Sequence, residues 1–377
     1  MPRVVIVTPG FPPQVGGVET VVAQLASCLP TLGWTAKVLT QVSRDAPVAL
    51  DPQGFDVERF RDWTGLHNFP VAPALWLRLL TAQTSADVVH VHSFHSSVSL
   101  AAAVVARKPF VFTPHFHATG HSGMARIAHR IYDPIATITF RRAALIHCVS
   151  EAEARLVSAR YPLARQKIRV VPNGVDLLPI KKAEPFECGG PIILMVGRLE
   201  KYKRVDLAVE AMKHLKGIAK LIILGSGPEL SRLRVQVDAL GLEEEVRLLG
   251  YVPDAELYRW LKSADLYLSL SEQEAFGLTL VQSAAAGASL LVSDIPAHRE
   301  VATMLTHANL LPVRASASRI AQEIRACIAT QPPPRESLLI RDLGWEQITH
   351  DIAEMYQQVS GLRCTPVPSV PSIHTGL

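Results

Sequence analysis

Cysteine is scarce in this sequence and never occurs at the paired spacing of a metal site or a redox motif. The chain contains five cysteines, namely Cys28, Cys148, Cys188, Cys327 and Cys364. Their scatter argues against a zinc centre or a disulfide framework and suits a reducing compartment. Long apolar runs are missing as well, because the longest, near residues 98–106 and 283–292, are too short to cross a bilayer.

A surplus of charge is also absent. The net charge is +4 and the isoelectric point is near 8.8, with no dense basic stripe containing interleaved aromatic residues. This excludes a nucleic-acid-binding class and suits anionic small molecules or an anionic membrane surface. The N-terminal Val4–Val7 has the pattern of a core strand, not that of a signal peptide. We therefore expect a cytoplasmic protein, either free or peripheral at the inner face of the plasma membrane.

The chain does contain a regular alternation of short β-branched runs and longer amphipathic segments, which is typical of βαβ units on parallel sheets. Its 377 residues, 48% of them hydrophobic, exceed the size of a single core and predict two domains. The predicted strands of the first half are Arg3–Thr8, Thr35–Thr40, Asp87–His92, Pro109–Thr113, Ala144–Val149 and Lys167–Val171. Those of the second half are Pro191–Val196, Ala219–Leu224, Val246–Leu248, Leu266–Leu270, Ser289–Val292 and Asn309–Pro312.

A break in this alternation follows the Pro-Asn-Gly turn at residues 172–174. Residues 177–190 have no clear period, so we interpret them as an interdomain linker. The predicted domains are residues 1–178 and 179–344, both doubly wound α/β units. A last helix is predicted over residues 345–360, followed by a disordered tail over residues 361–377.

The run from Ser271 to Gly287 is the most informative segment. Glu274 precedes a predicted helix that opens with Phe276 and Gly277. A helix N-terminus presents unpaired N–H groups and a partial positive charge to a phosphate, and glycine allows close approach. The neighbouring carboxylate accepts hydrogen bonds from sugar hydroxyls. The segment therefore predicts a site for an anionic, hydroxyl-rich ligand.

A second group lies just past a predicted strand, where Arg198, Lys201, Lys203 and Arg204 come before a helix. Fixed cations stabilise the negative charge that builds on a departing diphosphate without needing a metal. Arg198 and Lys203 are the preferred pair. A solvated basic loop is the alternative, and the position at a strand end favours phosphate contact.

Two glycine-rich turns follow other strands. Gly16 and Gly17 lie in a loop between a strand and a helix, where backbone amides can meet a phosphate or a sugar. A plain tight turn is equally compatible with that loop. The second turn, Gly225-Ser-Gly227, is a weak signal that by itself indicates structure, although its glycines are placed to lie near a nucleotide.

Histidines are dense in the first half: His90, His92, His95, His115, His117 and His121. A metal site is not supported, since no third or fourth ligand is evident. His115 follows a strand at its carboxyl end and is assigned to a catalytic cleft, whereas His90 and His92 are predicted to be partly buried strand residues. The basic segment 123–142 is predicted to form solvated helices, with an amphipathic membrane surface as the alternative.

Together these segments resemble the retaining glycosyltransferases of family 4. The resemblance rests on Gly16-Gly17-Val18-Glu19, Val149-Ser150-Glu151, Val171–Asp176, Val196-Gly-Arg198 with Lys203, Gly225–Pro228, Glu274-x-Phe276-Gly277 and Ser293–Pro296. It implies the GT-B architecture, in which two Rossmann-like domains face each other across a cleft and the last helix crosses back to the first domain. It also implies transfer of a hexose from a UDP- or GDP-sugar to a glycan or lipid-linked acceptor, with no cofactor and no metal.

The resemblance also implies roles for individual residues. Arg198 and Lys203 would bind the donor diphosphate, and Glu274 the hydroxyls of the donor sugar. Phe276 and Gly277 would contribute backbone atoms beside sugar and phosphate, and His115 would lie near the transferred sugar. Gly16 and Gly17 would approach the phosphate, while Gly225 would lie near the nucleotide.

One position departs from the family pattern. Where the family usually has a second Glu, eight residues after Glu274, this chain has Gln282. Gln can still hydrogen-bond ribose hydroxyls but without the strength that charge adds, so we expect altered nucleotide recognition. Two other functions stay open: a nucleotide-sugar 2-epimerase, for which no convincing acid and base pair is found, and a non-catalytic nucleotide-binding scaffold. The base, the sugar, the acceptor, its linkage and the oligomeric state are not determined.

Overall fold

The structure is a computed structural model. It describes residues 1–44, 54–65, 70–94, 96–116, 133–134, 136–305, 308–330 and 343–362. Three of the predicted features therefore lie outside the described residues: His95, His117 and His121; most of the basic segment 123–142; and the tail from residue 363.

Within this described part the chain forms thirteen strands and twelve helices with defined ends, and residues 136–142 are helical as well. The strands are β1 (Arg3–Thr8), β2 (Thr35–Val42), β3 (Asp56–Arg61), β4 (Val88–His92), β5 (Phe110–Thr113), β6 (Leu145–Cys148), β7 (Ile168–Val170), β8 (Ile192–Val196), β9 (Lys220–Leu224), β10 (Val246–Gly250), β11 (Leu266–Ser269), β12 (Ser289–Ser293) and β13 (Ala308–Leu311). The helices are α1 (Gly17–Cys28), α2 (Pro73–Ala82), α3 (Ser97–Val105), α4 (Glu151–Arg160), α5 (Leu177–Lys182), α6 (Val205–Ala211), α7 (Leu230–Leu240), α8 (Asp254–Ser263), α9 (Leu278–Ala286), α10 (Pro296–Met304), α11 (Ala317–Ala329) and α12 (Trp345–Ser360). Short 3-10 helices occupy Leu29–Leu32, Gln83–Ser85, Pro162–Lys167, Lys201–Lys203 and Met212–His214.

These elements form two compact α/β units. The first comprises Met1–Val149, Ala154–Pro172 and the chain from Trp345 onwards, and the second comprises Ser150–Glu153 and Asn173–Gly344. The first sheet has the strand order β3-β2-β1-β4-β5-β6-β7 and the second β10-β9-β8-β11-β12-β13. Among the described strands, every pairing is parallel. Each unit is thus a doubly wound, Rossmann-like domain, as predicted.

The central strands could be predicted from the sequence because both of their faces are buried. β4, β5, β6, β11 and β12 are buried at every residue, because helices cover both faces of a parallel sheet. Each sheet has its own apolar core, one including Val5, Val91 and Phe112 and the other including Ile193, Leu221 and Leu291. In the first unit, α12 packs against α1, β4 and β5.

The sequence prediction missed two elements. β3 (Asp-Val-Glu-Arg-Phe-Arg) is a half-exposed edge strand whose charges are satisfied across strands, as Lys37 contacts Asp56 and Glu58 at 2.7 and 2.9 Å. The prediction of an irregular linker over residues 177–190 was wrong at its start, where α5 forms. This short helix buries Ile180, which supplies the apolar contact that a six-residue helix needs.

Within the described residues, no helix combines the length and the apolar composition needed to span a membrane.

Candidate functional site

The second unit gathers its candidate residues at the carboxyl ends of β8, β9 and β11. A small, open pocket lies there, and its lining includes Gly197, Arg198, Lys203, Tyr267 and Ser271. In parallel α/β sheets the loops at this edge are the usual place for a ligand, because the helices that follow begin there with unpaired N–H groups. The fold therefore brings two sequence segments separated by about 70 residues to one edge.

An ion pair between Lys203 and Glu274 is the central contact of this edge. The Nζ of Lys203 donates to Oε1 of Glu274, and each side chain keeps 19% of its surface exposed. Burial by itself would raise the pKa of Glu274, but the charge of Lys203 and their hydrogen bond hold that pKa below its ordinary value. Burial by itself would lower the pKa of Lys203, but the negative charge of Glu274 outweighs this effect and raises that pKa. Both groups are therefore ionised at neutral pH.

A second ion pair holds the same two loops together. Arg204, whose φ of 51° is in the left-handed region, places its guanidinium 3.0 Å from Glu272. The backbone N–H of Glu272 donates to the carbonyl of Tyr202 at 2.9 Å. Arg198 differs from these residues, since its side chain is 62% exposed and contacts only Glu200, at 3.1 Å, among the described ion pairs. Its guanidinium is thus placed to reach a ligand without breaking a buried pair.

The helix start predicted after Glu274 is present, and its backbone explains the glycine. Gly277 has φ of 98° and precedes α9, which begins at Leu278. A side chain at this φ would be strained, so glycine is required by conformation. Phe276 is 3% exposed and packs inward, which leaves its backbone as the part that can contact a ligand. A ligand contact predicted at Phe276 or Gly277 would therefore be made by the main chain.

Gly225 has a clear packing role. With φ of 126°, it lies so close to the loop after β8 that an added Cβ would overlap the carbonyl oxygen of Gly197. Gly197 and Leu199 donate backbone hydrogen bonds to Leu224 and Ser226 at 3.0 and 2.9 Å. The glycine turn thus supports the loop that carries Arg198, which agrees with the structural interpretation of that turn.

Gln282 lies on α9 and is 9% exposed. Across the described part of the chain, its amide makes no hydrogen bond to another protein group. This side chain therefore has hydrogen-bonding capacity left for a ligand.

Sequence reasoning missed His298, which lies beside the glycine of the helix start. Its Cδ2 is 3.7 Å from where a Gly277 Cβ would lie. Its Nδ1 is 2.9 Å from the carbonyl oxygen of Ser293, so that nitrogen carries the proton. Burial lowers the pKa of His298, although the negative charge of Glu274 acts in the opposite direction. The Ser293–Pro296 motif was visible in the sequence, but only packing shows that the histidine after it faces Gly277.

The first unit holds the other predicted residues. An added Cβ at Gly16 would overlap the carboxylate of Glu19, whereas one at Gly17 would meet no atom within 4 Å. That carboxylate is the far end of a flexible side chain that can shift, so packing does not require a glycine at position 16, and the space at Gly17 is open. His115 has φ of 48°, an uncommon conformation for a residue with a side chain and one that concentrates at functional sites.

Four side chains next to His115 form a buried hydrogen-bonded chain whose direction can be assigned. The carbonyl of Val171 only accepts, so His147 donates to it from Nε2 at 2.8 Å. Burial lowers the pKa of His147 to about 4, which keeps the ring neutral and makes Nδ1 an acceptor for Thr113. Thr113 then accepts from Nε2 of His90 at 2.7 Å. Burial holds the pKa of His90 well below 6.5, so its Nδ1 accepts from Tyr356 at 2.6 Å.

His90 and His92 are more deeply buried than predicted. They are 0% and 1% exposed, and their ring centroids are 4.2 Å apart. The prediction of strand histidines was right and that of partial burial was wrong, because helix α12 and the neighbouring strands close over them.

Comparisons with known proteins agree with this architecture. Residues 15–177 match the model described as Glycosyltransferase Family 4, and residues 179–338 match that described as Glycosyl transferases group 1. The chain is 26% identical to the GDP-mannose:cellobiosyl-diphosphopolyprenol alpha-mannosyltransferase of Komagataeibacter xylinus, covering 93% of this chain and 92% of that protein. It is 25% identical to a phosphatidylinositol N-acetylglucosaminyltransferase subunit of Arabidopsis thaliana, covering 76% of this chain and 66% of that protein.

A solved structure supports the fold. Sucrose-phosphate synthase from Thermosynechococcus elongatus matches with a TM-score of 0.76 and 18% identity, covering 96% of this chain and all of that chain. With one family model on each Rossmann-like unit, the chain belongs to glycosyltransferase family 4 and is a glycosyltransferase with the GT-B fold.

Proposed function

We propose that this protein is a retaining hexosyltransferase that uses a UDP- or GDP-sugar, with GDP-mannose as the first donor to test. The acceptor is a glycan or a lipid-linked sugar. The observation that carries the proposal is the Lys203–Glu274 ion pair at the carboxyl edge of the second sheet, with Arg198 on the same pocket. This arrangement places two cations that can bind a diphosphate next to one carboxylate that can bind sugar hydroxyls.

The donor diphosphate is assigned to Arg198, Lys203 and the backbone N–H groups at the start of α9. Negative charge grows on the diphosphate as its bond to the sugar breaks, and preorganised donors stabilise that charge most in the transition state. In this proposal Lys203 and Arg198 supply the positive charge, so no divalent metal is required. Lys203 is held in place before the donor arrives because Glu274 already binds its ammonium group.

The donor sugar is assigned to Glu274, with the backbone of Phe276 and Gly277 beside it. The ionised carboxylate keeps lone pairs for sugar hydroxyls in addition to its bond with Lys203. His115 and the Gly16-Gly17 loop are assigned to the sugar and the phosphate, respectively, when donor is bound. Retention then proceeds by same-face attack, in which the leaving phosphate takes the acceptor proton and no protein nucleophile is needed.

The choice of donor and acceptor is supported by the relatives. The K. xylinus protein is named for GDP-mannose and for a sugar carried on a diphosphopolyprenol, and it is similar to this chain over nearly its full length. The A. thaliana protein is named for N-acetylglucosaminyl transfer. A lipid-linked sugar is therefore the first class of acceptor to test.

A donor panel tests the proposal. Purified protein is incubated with GDP-mannose, UDP-glucose or UDP-N-acetylglucosamine, with and without cellobiosyl-diphosphopolyprenol, in buffer containing EDTA. We expect nucleotide release that depends on acceptor and a product that keeps the anomeric configuration of the donor, as read by NMR. An inverted product would contradict retention. Nucleotide binding without transfer from any donor would favour the scaffold, and a free sugar inverted at C2 would favour the epimerase.

Replacing Gln282 with Glu tests the proposed ribose contact. A charged acceptor strengthens a hydrogen bond by about 1 kcal/mol, which corresponds to roughly a 5-fold lower KM for the donor with kcat little changed. Gln282→Met has a similar shape without hydrogen bonds and is expected to raise donor KM. Steady-state kinetics with the best donor of the panel provides the measurement. A large fall in kcat at unchanged KM in Gln282→Glu would show that the residue acts elsewhere.

A further inference from the structure

A contact between two imidazoles in the first unit suggests a role for a residue with no assigned function. Nδ1 of His92 is 3.2 Å from Nε2 of His115, and the rings are nearly parallel, with centroids 5.5 Å apart. We propose that His92 is a positioning residue that fixes the tautomer and the orientation of the His115 ring through this hydrogen bond. The inference rests on the proposed function only in placing His115 near the transferred sugar.

The burial of His92 decides which of its nitrogens carries the proton. Burial holds the pKa of His92 well below 6.5, helped by the neighbouring His90 and His115, so the ring is neutral. Its Nε2 is buried and, among the described residues, has no hydrogen-bond partner. His90 cannot serve as a hydrogen-bond partner for this nitrogen, because both nitrogens of His90 already bond to Tyr356 and Thr113.

An unpaired buried N–H group is rarer in proteins than an acceptor with spare capacity. The favoured tautomer of His92 therefore places its proton on Nδ1, where it is donated to His115, and leaves only a lone pair at the unpaired Nε2. The opposite tautomer would bury an N–H group with no acceptor, which is unfavourable because that group has lost its hydrogen bond to water.

The consequence lies in His115. Since Nε2 of His115 accepts from His92, a neutral His115 carries its proton on Nδ1. The ring cannot take up a proton at Nε2 without losing the bond to His92. The proton of a neutral His115 is therefore held at Nδ1, and Nε2 is not available to act as a general base. The left-handed backbone at this residue holds the ring in the orientation that this bond requires.

Three substitutions of His92 separate a hydrogen-bond role from simple packing. The amide of Asn can place a donor where Nδ1 of His92 lies, whereas Gln places its amide nearer to the Nε2 position and Phe keeps only the ring. We expect His92→Phe and His92→Gln to lower kcat by about 10- to 100-fold with donor KM within about 2-fold, the size seen when an orienting partner of a functional histidine is lost. His92→Asn should retain activity within about 5-fold of the unaltered protein.

The tautomer itself is measured by long-range ¹H–¹⁵N NMR on ¹⁵N-histidine-labelled protein without substrate, with His115→Gln used to assign the His115 signals. We expect a proton on Nδ1 of His115 in the unaltered protein and in His92→Asn, and a mixture of tautomers in His92→Phe. Tyr356→Phe is the control for packing, since it removes a buried hydrogen bond to the adjacent His90 without touching the His92–His115 pair. It should lower the melting temperature and leave the His115 signals unchanged.

A proton on Nε2 of His115 in the unaltered protein would overturn the inference, as would equal loss of kcat in His92→Asn and His92→Phe. Failure of the unaltered protein to transfer any sugar would instead contradict the proposed function. The NMR result decides the role of His92 in that case too, because it does not depend on turnover.

Discussion

Glu274→Gln is expected to lower kcat/KM for the donor by about 10- to 100-fold, the effect of losing one or two charge-assisted hydrogen bonds. The amide has nearly the shape of the carboxylate, so the sugar still fits, but its hydroxyls meet a weaker acceptor. Because Lys203 holds the Glu274 carboxylate ionised, the loss should be nearly constant across neutral pH. Steady-state kinetics between pH 6.5 and 8.5 provides the measurement.

The same ion pair should affect stability, and a double-substitution cycle separates that effect from catalysis. Lys203→Met leaves the Glu274 carboxylate without its cation, and Glu274→Gln leaves the lysine without its anion. Removing one partner of a buried pair costs about 3 to 5 kcal/mol, and partial exposure here reduces the expected loss of unfolding free energy to about 1 to 3 kcal/mol. The combined Lys203→Met, Glu274→Gln protein should recover most of that stability and none of the activity.

An exposed ion pair provides the matched control. Lys213 lies 3.2 Å from Glu210, with side chains 39% and 45% exposed. Lys213→Met should change the unfolding free energy by less than about 1 kcal/mol and leave transfer unchanged, since exposed pairs contribute little. If Lys203→Met were as harmless as Lys213→Met in both assays, the central role assigned to the buried pair would be wrong.

Acidification from pH 7.5 to pH 5 is expected to destabilise the first unit strongly, because its buried histidines must stay neutral. In the unfolded chain a histidine binds a proton below about pH 6.5, whereas burial lowers the pKa of His147 to about 4 in the folded protein. The unfolded state therefore binds more protons in this window, and stability falls as pH falls. His147 alone should account for about 2 kcal/mol of loss at pH 5, and His90 and His92 act in the same direction.

Urea unfolding followed at several pH values measures this effect. His147→Gln keeps a donor for the Val171 carbonyl but cannot titrate, so it should lower stability at pH 7.5 and reduce the loss on acidification by about 2 kcal/mol. The exposed His350 is the control for loss of a histidine side chain, and His350→Gln should change the unfolding free energy at pH 7.5 by less than about 0.5 kcal/mol. An unaltered pH dependence in His147→Gln would mean that His147 is not buried as a neutral ring in solution.

Element types were predictable from the sequence wherever burial was uniform. Strands such as β5 and β8 are continuous apolar or β-branched runs, so their positions needed no tertiary information. β3 was not predicted because this edge strand carries charged residues, as a loop does. α5 was not predicted because six residues are too few to show a helical period. In both cases stability comes from contacts with distant residues, which no local pattern records.

Candidate site residues were predictable one at a time, because each follows a strand or precedes a helix. Their partners were not. Arg198, Lys203 and Glu274 were each assigned from position, but the buried bond between Lys203 and Glu274 joins residues 71 positions apart. His298 was missed because its importance comes only from the side of Gly277 on which it packs.

The sequence by itself determined the two parallel α/β domains, the family and the residue types at the strand ends, because apolar periodicity and strand-end motifs are local properties. The tertiary structure alone decided which charges neutralise each other and which histidine nitrogen carries a proton. Those properties depend on burial and on hydrogen bonds such as that from Tyr356 to His90, which spans 266 positions. The Glu274 segment is thus a helix start in the sequence, and it becomes a charged, preorganised site only when folding brings Lys203 to it.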